Sequence, residues 1–111
     1  MSFQEVQELF FTYEEQRHKI IQDTQKYFLK NKFHPYVWFD ENHRLRIKHK
    51  YRRGMDCFHI KKERQEFLNV VEEFSKENDL TIRFILDVKD TDRLLSDDIK
   101  SQWSTELIFE V

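Results

Sequence analysis

The chain has 111 residues and a net charge of −2, with 36% charged and 39% hydrophobic residues and a single glycine, proline and cysteine. That length fits one domain, 1–111, large enough to bury a core without disulfides or metals. Cys57 has no second cysteine to pair with, and Gly54 alone cannot build phosphate-cradling loops, nucleotide-binding turns or nucleophile elbows, which need glycines at fixed spacings.

Residues 2–31 predict a long helix. Ser2 with Glu5 forms a capping-box pattern. Val6, Phe10, Tyr13, Ile20, Thr24 and Tyr27 recur at alternating steps near 3.5 residues, and Leu9, Phe28 and Leu29 widen the stripe. Arg17 interrupts it, Asn31 is a reasonable stop, and Pro35 forbids much further helix. Such a stripe serves either to pack on the chain's own sheet or as the seam of a homodimer through this N-terminal helix. Arg17 and Thr24 at stripe positions favour the first use.

Phe33 to Phe39 is aromatic and β-rich, Asp40–His43 reads as a four-residue loop, and Arg44 to Tyr51 alternates strictly, so these segments predict a hairpin. Arg53–Asp56 reads as a second turn, where Gly54 supplies positive φ. Cys57–Ile60 suggests a short third strand, with Cys57 buried among apolar neighbours. Residues 61–77 carry Arg64, Phe67, Val71 and Phe74 on one helical face, flanked by Leu68 and Val70, and Asn78 closes the segment.

Leu80 to Val88 predicts a strand, with Leu80, Ile82, Phe84, Leu86 and Val88 on one face and Thr81, Arg83, Ile85 and Asp87 on the other. Asp90 opens a looser segment. Leu95, Ile99 and Trp103 stand at helical spacing behind a Ser96 cap. Glu106–Val111 alternates again, with Leu107, Phe109 and Val111 on one face. The expected fold is α+β: a small antiparallel or mixed sheet of four to five strands, with the long N-terminal helix and a second helix packed on one face.

The near-neutral net charge conceals a strong asymmetry. Residues 43–64 hold nine basic and two acidic side chains, whereas 65–111 hold five basic and twelve acidic. Within the basic segment, Arg44, Arg46, Lys48, Lys50 and Arg52 share one face of the alternating strand, at a spacing of roughly 6–7 Å. That spacing is close to the phosphate separation along a nucleic-acid strand. Tyr36 and Trp38, with Tyr51 and Phe58 nearby, add stacking surfaces, and Arg53 adds a further cation.

Three functions use these residues. The first is a non-enzymatic interaction protein, an inhibitor, immunity factor or regulator of the kind carried by phages and plasmids. It binds a protein partner through this basic face by complementary charge. The second is an RNA- or single-stranded-DNA-binding regulator using the same face, against which a sequence pI of about 6.2 counts. The third is a small metal-independent ribonuclease with His49 or His59 as base and Tyr51, Arg52 or Arg53 as phosphate clamp. An ordinary structural use is also open: basic side chains protect exposed strands, and Glu106, Glu110 or Asp87 could neutralise the strip across the sheet.

His43, His49, Cys57 and His59 match no zinc spacing, so no metal or other cofactor is expected. The acids Asp90, Asp92, Asp97 and Asp98 lack the calcium-loop spacing. The N-terminus lacks a secretory pattern and no apolar run is long enough to span a bilayer. The expectation is therefore a cytoplasmic protein without membrane contact.

Overall fold

The computed structural model describes residues 3–91 and 101–110, with side chains for 14–90 and 102–110. The elements, in chain order, are α1 (Phe3–Lys30), β1 (Tyr36–Phe39), β2 (Leu45–Lys50), α2 (Cys57–Glu77), β3 (Thr81–Thr91) and β4 (Ser101–Glu110). The four strands form one antiparallel sheet in the order β1-β2-β4-β3. The fold is thus the expected α+β arrangement.

The two helices bury their apolar stripes against the same sheet face. Phe28 of α1 meets Phe67, Val71 and Phe74 of α2 and Leu45, Ile47, Leu107 and Phe109 of the sheet in one cluster. The Phe28 ring stands edge-on to Phe67 at 5.6 Å, and Phe74 contacts Phe109 at 5.6 Å. Burying such aromatics supplies much of the core of a chain this size. Thr24 occupies the buried α1 stripe because its hydroxyl donates to the Ile20 carbonyl at 2.7 Å, which leaves no unsatisfied polar atom there. Arg17, where the apolar stripe breaks, sets its guanidinium over the Phe39 ring and contacts His43. The α1 stripe from Arg17 to Phe28 therefore packs on the chain's own sheet and hairpin. The helix ends with Lys32 in the left-handed region at φ 68°, while the Asn31 and Phe33 amides both donate to the Phe28 carbonyl at 3.0 Å.

The β1–β2 hairpin has the expected turn. Asp40 Oδ1 accepts the Asn42 and Arg44 amides at 2.8 and 3.0 Å, and His43 adopts φ 61°. Gly54 sits at φ +73° in the turn before α2, as expected.

Several expectations are corrected. Cys57–Ile60 is not a strand but the first turn of α2, capped by Asp56, whose side chain accepts the His59 amide at 2.9 Å. Cys57 is exposed rather than buried. Leu80 and Ile82 do not share a face with Phe84, Leu86 and Val88. Ile82 pairs with Phe109 on the helix side, and Phe84 pairs with Ile108 on the opposite side, because a bulge at Arg83 inserts one residue. Trp103, expected on a helix, lies in β4 opposite Lys89. The rest of that expected helix, with Ser96, Leu95 and Ile99, and the final residue Val111 lie outside the described residues, as does the proposed Ser2 cap. Leu107 and Phe109 are buried as expected.

Candidate functional site

One face of the sheet is covered by the helices. The other is covered by no helix among the described residues, and it carries most of the basic strip. Strand alternation sends Leu45 and Ile47 into the core and Arg44, Arg46, Lys48 and Lys50 outward. Registers fix the rows across this open face. Trp38, Arg46, Ile108 and Phe84 form one row; Tyr36, Lys48, Glu106 and Leu86 form the next. Lys50, Ser104 and Val88 form a third. The face is therefore graded, from aromatic and basic at β1 and β2 to apolar at β3.

The cations of the strip differ in what they meet. Arg46 bridges two acids: Nε donates to Asp40 Oδ2 at 2.8 Å and Nη1 to Glu106 Oε1 at 3.0 Å. These bonds raise the guanidinium pKa above its ordinary value, the Asp40 bond first. The Arg44 amide and then the Arg46 guanidinium hold the Asp40 carboxyl below the usual carboxylate range. Arg44 pairs with Glu110 at 3.4 Å, and the bulge residue Arg83 reaches the same carboxylate. Lys48 and Lys50 make no ion pair among the described residues; Lys50 stands over the Tyr36 ring at 5.0 Å. Cross-strand neutralisation is thus real at Glu106 and Glu110 and reaches only the two arginines.

Asp87, the third suggested partner, lies on the helix side instead. Arg64 Nε donates to both its carboxylate oxygens at 3.0 and 3.1 Å, and the Thr105 hydroxyl donates to Oδ1 at 2.7 Å. Burial pushes the Asp87 carboxyl up, but these two donors outweigh it and leave it below its ordinary value. Since the Thr105 hydrogen is committed to Asp87, the buried Tyr51 hydroxyl must be the donor in its 2.7 Å contact with Thr105. Burial, only partly opposed by that bond, raises the Tyr51 pKa.

The other basic residues stand apart. Arg52 and Arg53 are exposed in the turn that joins β2 to α2. Arg52 is therefore not a rung of the β2 ladder, which ends at Lys50. Of the stacking candidates, Tyr36 is 58% exposed, Trp38 is half-buried, Tyr51 faces the core and exposed Phe58 sits on α2. His49 lies among the Phe33, Tyr51 and Phe67 rings with Nε2 3.0 Å from Glu63 Oε2. His59 Nδ1 lies 2.6 Å from Asp56 Oδ2 at the start of α2. Among the described residues, no three His, Cys, Asp or Glu side chains converge as metal ligands, and no helix is long and apolar enough to cross a membrane.

Sequence reasoning missed the apolar column of this face. Phe84 is 49% and Leu86 41% exposed, although both were expected on the face that carries Leu80 and Ile82. No single-strand pattern could have found them, because a bulge is a property of the pairing with β4. No family model, curated protein or solved structure matches the chain.

Proposed function

We propose that this chain is a non-enzymatic interaction protein, an inhibitor, immunity factor or regulator, that docks a protein partner on the open face of its sheet. The observation that carries this is the gradient across the face. Exposed Phe84 and Leu86 lie two strands away from Lys48 and Lys50, while Arg44 and Arg46 are matched within the chain. A partner with an apolar ridge beside an acidic one complements both halves. A nucleic-acid backbone complements only the lysine half, and internal pairing has already halved the charge that it would meet. The single unpaired cysteine suits a reducing, cytoplasmic setting.

An RNA or single-stranded-DNA ligand remains the second reading. It is favoured by Tyr36 and Trp38, which share rows with Lys48 and Arg46. Capture from lysate with wild type, a Lys48→Glu/Lys50→Glu pair and a Phe84→Ser/Leu86→Ser pair separates the two. A protein partner is lost with either pair and survives nuclease treatment. A nucleic acid is lost steeply with salt and with the lysine pair alone. Retention of the captured partner by both pairs contradicts the proposal.

A further inference from the structure

β3 is an edge of the sheet, and among the described residues nothing pairs with its outer side. Proteins blunt such edges by keeping them short, by placing Pro or charges on them, or by covering them. The opposite edge follows this rule: β1 has four residues, comes directly after Pro35 and packs against α1. β3 does not. It has eleven residues and no proline, and it exposes three consecutive apolar side chains: Phe84 at 49%, Ile85 at 41% and Leu86 at 41%. Phe84 and Leu86 belong to the open face and Ile85 to the helix side. A body lying on either face would cover only part of this set, whereas an added strand covers all three from the side.

We infer that the added strand is β3 of a second copy, paired antiparallel about a twofold axis at Ile85. A twofold axis normal to the sheet keeps each side chain on its own face, so the pairing must be centred on a residue. Centred on Ile85, the two Ile85 side chains oppose each other and each Phe84 opposes the partner's Leu86, so all three exposed apolar residues meet apolar ones. No like charges meet. Centring on Phe84 would bring Ile85 level with the partner's Arg83, centring on Leu86 would set Ile85 against the partner's Asp87, and centring on Asp87 would set two carboxylates face to face. An attraction between Arg83 and Asp87 takes no part in selecting the register, because Arg83 reaches Glu110 on the open face and Asp87 binds Arg64 on the helix side. The product is a continuous eight-stranded sheet with both open faces on the same side. This inference does not depend on the function proposed above, since the edge pairs whatever that face binds.

Sedimentation of the full chain at tens of micromolar tests it, with Ile85→Lys as the disrupting variant. Ile85 is 41% exposed, so lysine is tolerated by the fold, and circular dichroism checks that. A second variant tests the register. Opposed residues of an antiparallel pair have Cα atoms ~4.5–5.5 Å apart, within disulfide reach. In a Cys57→Ser background, Ile85→Cys should therefore cross-link to a dimer under mild oxidation, and Thr81→Cys should not. The expected result is a wild-type dimer, a folded Ile85→Lys monomer and cross-linking at position 85 alone. A monomeric wild type, a dimer that survives Ile85→Lys, or equal cross-linking at both positions overturns it.

Discussion

The hydroxyl of Tyr51 begins a chain of bonds that runs through Thr105 and Asp87 to Arg64, joining β2, β4, β3 and α2. Its first two members respond differently to deletion. Tyr51→Phe removes a donor but leaves Thr105 bonded to Asp87, so the cost is about 1 kcal/mol. Thr105→Val strands the buried Tyr51 hydroxyl and should cost ~2 kcal/mol, because an unsatisfied buried group forfeits its desolvation free energy. Urea melts of the two variants check this order. The Asp87 carboxylate in this chain of bonds, together with that of Asp40, sets a pH dependence. Asp87 and Asp40 both have folded pKa values below the unfolded one of about 3.9, so their stabilisation is complete above that pH. It is lost as pH falls through that value towards the depressed folded ones. The urea midpoint should hold from pH 7 to 5 and drop below 4, and Asp87→Asn should shrink the drop. None of this network was legible in the sequence, which offered Asp87 only as a neutraliser of the basic strip. Which donors a carboxylate meets is decided by cross-strand register, and register lies between segments distant in the chain.

At the scale of elements, what was legible was periodicity. The α1 and α2 stripes and the β2 alternation were readable because each is a pattern within one segment. Two failures share a cause. Cys57–Ile60 reads as a short strand, yet the Asp56 cap makes it helical; Asp56 is the kind of residue that signals a helix start, but it was read as part of a turn. Trp103 fits a helical spacing, yet strand pairing claims it. In both cases a short pattern was ambiguous and a contact decided it. The backbone amide of His59 also holds the Asp56 carboxyl below its ordinary range, so the cap persists at mildly acid pH. Asp56→Ala should lower the melting temperature and speed amide exchange at residues 57–60 while leaving the last turn of α2 protected. Uniform loss of protection along α2 would mean that the cap has no local role.

At the scale of the molecule, the charge asymmetry read from the sequence becomes two separate features. One part is consumed internally, as Glu106 and Glu110 pair with Arg46 and Arg44. Lys48 and Lys50 stay outside those pairs, and two strands away lie the exposed Phe84 and Leu86, which together form the surface proposed above for docking. The candidate site was therefore half legible: β2 and its outward cations followed from alternation, whereas Phe84 and Leu86 required the bulge. The radius of gyration, 17.2 Å, exceeds the ~13 Å expected of a globule this size, in keeping with a chain whose long helix and open sheet present much surface. A photo-cross-linking residue placed at Leu86, on the open face, and separately at Glu66, on the exposed side of α2, tests the proposed docking most directly in lysate. An adduct from position 86 alone, of a mass other than twice that of the chain, destroyed by protease and resistant to nuclease, is the expected result. An adduct from position 66 alone, or one from position 86 that nuclease removes, would contradict it.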